Sequence, residues 1–217
     1  MKKISVVIPM YYEEEVVEEC YKRMTNILSH IENYEYEIIC VNDGSKDKTL
    51  TILKEIAEKD QKLKVISFSR NFGHQCAVTA GLKYVTGDVI VIIDADLQDP
   101  PELISDMLKL WEEGNEVIYG KRKTREGESK FKLLTAKMFY HTLNALSDVE
   151  IPKDTGDFRL VDRKVVEVIN SLPEHNKFLR GLFSWVGFEQ KAFEYERKES
   201  CLLYTSPSPR DKRQYRM

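Results

Sequence analysis

From Ile4 to Gly120, β-branched runs alternate with stretches of helical periodicity, and few folds satisfy that order. Ile4-Ser5-Val6-Val7-Ile8 is stopped by Pro9 and reads as a buried strand. Glu13 to Ile31 then carries Val16, Val17, Cys20, Met24, Ile27, Leu28 and Ile31 at helical spacing. Glu37 to Val41 is a second strand that ends in Asn42-Asp43-Gly44-Ser45. Leu50, Leu53, Ile56 and Ala57 mark a helix, and Leu63 to Phe68 a third strand. Cys76 to Val85 is a further helix with Gly87 as its stop. Asp88 to Asp94 is the strongest strand signal. Pro100-Pro101 opens a helix to about Glu113, at the end where proline is tolerated, and Glu116 to Gly120 closes the series. Such an alternation predicts an α/β fold, a Rossmann-like and mostly parallel sheet with helices on both faces. In these sheets ligands bind beyond the carboxyl ends of the strands.

The rest of the chain is less regular. Ser129 to Leu146 reads as an amphipathic helix, Phe158 to Val161 as a strand, Lys164 to Leu172 as a helix and Phe188 to Tyr195 as a last strand. With 217 residues, 42% of them apolar, the chain can bury one sizeable core. Its 33 basic and 36 acidic residues leave a net charge of −3, which lacks the basic excess of a nucleic-acid binder. The longest purely aliphatic run, Val89 to Ile93, is far short of the roughly 20 residues of a membrane span. Ile4 to Met10 is likewise too short for a signal sequence. Cys20, Cys40, Cys76 and Cys201 form no CxxC pair, which argues against a disulfide framework or zinc site and fits a reducing compartment. A soluble, cytoplasmic chain is expected.

The chemistry concentrates after strands. Asp94-Ala95-Asp96-Leu97-Gln98-Asp99 follows the aliphatic strand directly. Along an extended chain Asp94, Asp96 and Gln98 share one side, and Ala95 and Leu97 the other. Two carboxylates and an amide oxygen at an open strand end suit a hard divalent cation, Mg²⁺ or Mn²⁺, that keeps positions for phosphate oxygens. The plainer reading is an acidic turn, with Asp99 capping the next helix, but an unpaired carboxylate at the end of a buried strand is expensive. Asp43 is placed to accept hydrogen bonds from a base or ribose, though Asn-Asp-Gly-Ser is also a common turn. Tyr11 can pack on a base, while Glu13 and Glu14 can equally favour a helix N-terminus. Neither GxGxxG after the first strand nor GxxxxGK[ST] occurs, which removes the dinucleotide fingerprint and the P-loop.

Val6-Val7-Ile8-Pro9-Met10-Tyr11, Val41-Asn42-Asp43-Gly44-Ser45, Ser69-Arg70-Asn71-Phe72-Gly73, Asp94 to Pro101 and Asp154-Thr155-Gly156-Asp157-Phe158-Arg159-Leu160 together resemble a family 2 glycosyltransferase with the GT-A fold. The branch is that of the dolichol-phosphate mannose synthases and the bacterial polyprenyl-phosphate (bactoprenol) glucosyltransferases. The resemblance spans about residues 3 to 199. It implies inverting transfer of a sugar from a nucleotide diphosphate, with UDP-glucose the expected donor, to polyprenyl phosphate at the cytoplasmic face of the membrane.

By match, Pro9, Tyr11, Glu13, Asp43, Asp94, Ala95 and Asp96 would contact the donor. Asp94, Asp96 and Gln98 would surround the metal, and Arg122, Arg125 and Arg159 would face phosphates, for which a planar guanidinium is suited. Asp157 would be the catalytic carboxylate on the acceptor side, as base or as orienting group. Arg180 lies in another family-like segment. Trp185 is expected in the core slightly before the sugar site, and His74 as a helix-start cap or packing residue. The resemblance leaves open another glycan acceptor, a non-catalytic nucleotide-sugar-binding module, and a homo-oligomer.

Two departures stand out. Tyr12 occupies a position where the family usually has Asn. After Glu199 the family continues with a basic, glycine-containing loop and membrane helices that Ser200 to Met217 do not match. In that stretch Asp211 alone stands against Arg210, Lys212, Arg213 and Arg216, and Thr205-Ser206-Pro207-Ser208-Pro209 has no periodicity. The expected organisation is a GT-A domain over 1–199 with its C-terminal membrane segment missing, and a disordered, unrelated tail over 200–217, a cloning or assembly scar.

Overall fold

A computed structural model describes residues 1–122, 155–174 and 177–195. The helix expected at Ser129 to Leu146, Arg125 and the tail lie outside them. The chain starts with β1 (Lys2–Met10), α1 (Val17–Ser29), β2 (Tyr34–Asn42), α2 (Thr49–Ala57), β3 (Leu63–Ser67), α3 (His74–Leu82) and β4 (Val89–Ile92). A 3₁₀ turn at Pro101–Leu103 leads into α4 (Ile104–Glu112) and β5 (Val117–Arg122). Then come β6 (Thr155–Asp162), α5 (Arg163–Ser171), α6 (Leu179–Trp185) and β7 (Gln190–Tyr195). The strands form one sheet in the order β3-β2-β1-β4-β6-β5-β7.

Strand β1 shows why its sequence is continuously apolar. It pairs in parallel with β2 on one side and β4 on the other, and both of its faces are covered. Ile4, Val6 and Ile8 pack into one layer with Met24, Leu28 and Met107, from α1 and α4. Val7 points the other way, to Val78, Leu82, Val165 and Phe183, from α3, α5 and α6. Alternate residues of one strand therefore feed two cores.

The strands run parallel except β6, which is antiparallel to both β4 and β5. This reversal positions the site. A strand running against its neighbours brings its N-terminal end to their carboxyl ends, where ligands bind in such sheets. Ile92 of β4 pairs with Arg159 of β6, and Val91 with Leu160. The same register, continued past the end of β4, sets Asp94 across from Asp157. Two carboxylates far apart in sequence are thus delivered to one place by strand pairing.

Helix α6 was not marked by the sequence pattern. It has only seven residues, includes Gly181, and is held by buried Leu179 and Phe183 rather than by a long amphipathic stripe. Trp185 at its end is 59% exposed, which corrects the expectation that it fills the core.

Candidate functional site

The first wall of the site comes from the ends of β1 and β2 and from the loop entering α3. Pro9, Met10, Tyr11, Asp43, Asn71, Gly73, His74 and Ala77 line a cavity of roughly 180 Å³. The wall is rigid for local reasons. The Asp43 amide donates to the Met10 carbonyl, tying the two strand ends together. The Asp43 carboxylate accepts from the Phe72 and Gly73 amides at 2.7 and 2.9 Å, satisfying donors just before α3 that the helix cannot. Gly44 turns with φ +67°, and a Cβ there would lie 2.3 Å from the Arg70 carbonyl carbon. Asp43 therefore builds the cavity as well as lining it.

The second wall holds the paired carboxylates. His74 Nε2 lies 2.8 Å from Asp94 Oδ1, and its Nδ1 lies 3.7 Å from Asp157 Oδ2. Arg180 grips Asp157 with a two-pronged contact, Nε to Oδ1 at 2.8 Å and Nη2 to Oδ2 at 2.9 Å. Gln75 joins the layers, its Oε1 accepting from the Leu179 amide at 3.1 Å. Burial pushes the Asp157 pKa up, but the Arg180 hydrogen bonds and charge, with His74 and Arg159, outweigh it and hold it at about 2. Asp157 is thus a carboxylate at neutral pH and a poor proton acceptor.

Arg159 is 5% exposed, with its guanidinium 4.6 Å from the Phe183 ring centre and one long contact to the Gly156 carbonyl at 3.4 Å. Burial, opposed by the Asp157 charge, pulls its pKa down to about 10, so it stays charged. It sits behind Asp157, where it offsets the carboxylate.

The loop after β4 departs from the expected geometry. β4 ends at Ile92, and the chain turns at Ala95 and Asp96, with Leu97 at φ 55°. One-sided alternation belongs to an extended chain and does not hold here. Ala95 is 1% exposed in the main core, and Asp96 Oδ1 accepts from the Gln98 amide at 3.1 Å, closing the turn. Asp99 Oδ1 accepts the Tyr195 hydroxyl at 2.5 Å, fastening the loop to the end of β7.

Of the remaining expected residues, Glu13 is 7% exposed and its amide donates to Thr49 Oγ1, behind the cavity lining. Arg122 ends β5, opposite Tyr195 of β7. Among the described residues, His74, Asp94 and Asp157 are the group whose ligand atoms all lie within 4.8 Å of one another. An imidazole with two carboxylates is a donor set that Mn²⁺ or Mg²⁺ accepts, so the residues fit a divalent cation. His74 is the residue that sequence reasoning undervalued. It borders both the cavity and Asp157, and the signal that marks it is spatial, not local.

Comparison with known proteins agrees with this geometry. A family model for glycosyl transferase family 2 matches residues 5–169. The chain is 53% identical over 195 residues to the uncharacterized glycosyltransferase YkcC of Bacillus subtilis, covering 90% of this chain and 60% of that protein. It is 42% identical over 197 residues to the bactoprenol glucosyl transferase of Shigella phage SfX, covering 91% and 64%. This chain therefore spans under two thirds of the length of these relatives. The fold matches glucosyl-3-phosphoglycerate synthase from Mycobacterium tuberculosis, solved with Mn²⁺, UDP and phosphoglyceric acid. The TM-score is 0.64 at 21% identity, over 98% of this chain and 74% of that one. It also matches mannosyltransferase PcManGT from Pyrobaculum calidifontis, solved with GDP-Man and Mn²⁺, with a TM-score of 0.63 at 18% identity over 89% and 55%. The architecture is GT-A.

Proposed function

This chain belongs to glycosyl transferase family 2, and from that membership we propose that it is the catalytic domain of an inverting enzyme that moves glucose from UDP-glucose to polyprenyl phosphate. The observation that carries the reading is the shared wall. His74 borders the cavity and also touches Asp94 and Asp157, so a donor seated in the cavity has its reacting end beside the acceptor carboxylate.

In this reading Pro9, Tyr11 and Asp43 hold the nucleoside, with Glu13 supporting them from behind. Asp94, Asp96, Gln98 and His74 face the diphosphate, and a divalent cation held there would stabilise the charge of the departing diphosphate. Arg122 and Arg125 face phosphates of donor or acceptor. Arg159 keeps Asp157 compatible with an anionic acceptor by offsetting its charge. A phosphate acceptor is already ionised near neutral pH and needs little proton removal, whereas a hydroxyl acceptor needs a base. A carboxylate held at about 2 suits the first task, orienting the acceptor behind the anomeric carbon, better than the second. The names of the phage relatives support a lipid acceptor and a glucosyl donor.

Residues 1–199 form the transferase domain in this reading, and 200–217 are foreign to it. The full-length protein works at the cytoplasmic membrane face. Among the described residues no helix is long and apolar enough to cross a membrane.

The test, made on a protein that continues past Glu199 as the family does, is transfer of radiolabelled glucose from UDP-glucose into a butanol-extractable lipid in the presence of polyprenyl phosphate. Label in the lipid phase that depends on both substrates supports the reading. UDP binding with no transfer to lipid, or transfer to a glycan only, overturns it.

A further inference from the structure

Arg180 reaches the site from a helix that the mechanism above does not otherwise use. Helix α6 is anchored at two points that flank it: the Leu179 amide donates to Gln75 Oε1, and Phe183 is buried among Val78, Ile92 and Val165. Between these anchors the Arg180 guanidinium meets Asp157 edge-on, one nitrogen to each oxygen, at 2.8 and 2.9 Å. This fork has a consequence for the neighbouring carboxylate. Asp94, Asp157 and His74 are close enough for one cation to draw all three together. A cation that captured Asp157 would pull it away from an acceptor and onto the donor side.

We propose that Arg180 is a positioning residue whose guanidinium fork keeps Asp157 on the acceptor side by preventing both of its oxygens from closing on a cation at Asp94. The proposal rests on the reading of Asp157 as the acceptor-side carboxylate. A planar fork can occupy both oxygens at once, while an ammonium is a point charge that leaves one of them free to rotate. Charge alone and fork geometry therefore make different predictions.

The experiment is a titration of this chain with Mn²⁺ alone, read by the loss of the free-ion electron paramagnetic resonance signal. Arg180→Gln removes both charge and fork and should tighten Mn²⁺ roughly tenfold, the size of effect a nearby unit charge has on a carboxylate. Arg180→Lys keeps the charge and loses the fork, and should fall between the parent and Arg180→Gln. The double variant Arg180→Gln with Asp157→Asn restores the net charge of the parent but has no carboxylate to release, and should return to within about twofold of it.

Four results overturn the proposal: Mn²⁺ affinity unchanged in Arg180→Gln, a double variant as tight as Arg180→Gln, an Arg180→Lys indistinguishable from the parent, or no Mn²⁺ binding in any of the chains. Melting curves establish that each variant is folded, and Arg180→Lys carries the test alone should Arg180→Gln not fold. Lipid labelling is scored separately. Its failure removes the acceptor reading of Asp157 and leaves the Mn²⁺ series intact, while a flat Mn²⁺ series removes the clamp and leaves the labelling result intact.

Discussion

Two carboxylates, one buried and one half-buried, sit at opposite ends of the same sheet, and the pKa of each is held at about 2. Asp157 lies at the carboxyl end of the parallel strands. Glu37 lies at the other end, inside β2. Burial pushes the Glu37 pKa up, but hydrogen bonds from Lys64, Ser5, Thr86 and Lys3 outweigh it. Its side chain is 3% exposed, and its oxygens take Ser5 Oγ at 2.6 Å, Lys64 Nζ at 2.6 Å, Lys3 Nζ at 3.0 Å, and the Thr86 amide and hydroxyl at 2.6 and 2.8 Å. A low carboxyl pKa therefore does not by itself mark a functional group. Around Glu37 donors from two lysines, a serine and a threonine take up the acceptor positions. Asp157 has one arginine on one side and, on the other, an imidazole that also holds Asp94. The side linked through His74 to another acid and to the cavity distinguishes a site from a staple.

That contrast is broken most directly by removing Glu37. Glu37→Ala leaves two lysines without their anion and Ser5 Oγ and Thr86 without their acceptor. The expected loss is about 3–5 kcal/mol of stability. The melting temperature should fall by roughly 10 °C while UDP affinity below the transition is unchanged. A large drop in UDP affinity without a loss of stability would place function at the wrong end of the sheet.

The same staple has a pH signature. Glu37 titrates near 4.5 when unfolded and at about 2 when folded, so the unfolded chain binds its proton first as pH falls. Its contribution is complete above about pH 4.5 and is lost progressively toward pH 2, amounting to about 3 kcal/mol at most. Urea denaturation between pH 6 and pH 3 should show stability declining with acid, and Glu37→Gln should flatten that slope. An unchanged slope in Glu37→Gln means that other carboxylates dominate the acid limb.

Asp157→Asn is the matching test at the other end. It keeps the shape and removes the charge, so turnover in the lipid-labelling assay should fall about 10²-fold or more while UDP affinity is retained. Near-normal turnover would make Asp157 a staple like Glu37. Next in size is Asp96→Asn, which should weaken UDP binding about tenfold in Mn²⁺ and change nothing in EDTA. Equal affinity of the parent in Mn²⁺ and EDTA would remove the cation from the site.

The sequence disclosed the first half of the fold because continuous apolar strands and periodic helices are local signals. β1 is read from Ile4 to Ile8 alone. The direction of β6 is not local. Phe158 to Val161 would look the same in either direction, yet its reversal is what sets Asp157 across from Asp94. Glu37 was hidden for a related reason, since β2 begins at Tyr34 and an acid within a strand reads as its exposed edge until Lys3, Lys64 and Thr86 are seen to converge on it. The motif after β4 does not have the one-sided shape its spacing suggests, because the positive φ of Leu97 breaks the alternation that an extended chain would have. His74 was undervalued because its importance lies in touching two residues that sequence distance keeps apart.

The smallest expected effect concerns Tyr12, and it sharpens the line between building the site and serving it. Tyr12 has φ 57°, a left-handed conformation that costs most side chains about 1–2 kcal/mol and that Asn tolerates. The Asn that the family resemblance implies at this position suits that backbone, which Tyr12 adopts under strain. Its amide donates to Ser45 Oγ at 3.0 Å, and its ring meets Tyr11 edge-on with centroids 4.7 Å apart. Such an aromatic pair contributes about 0.5–1.5 kcal/mol, so the strain and the ring contact nearly cancel. Tyr12→Asn should therefore move the melting temperature by no more than about 2 °C. Tyr11, however, lines the cavity and loses the ring that braces it. UDP affinity should weaken about two- to threefold, an amount well below 1 kcal/mol. Tyr12→Phe keeps both the ring and the strain and should match the parent in both measurements. A rise of several degrees in Tyr12→Asn with unchanged UDP affinity would show that the ring pair braces nothing and that the strain at Tyr12 is simply uncompensated.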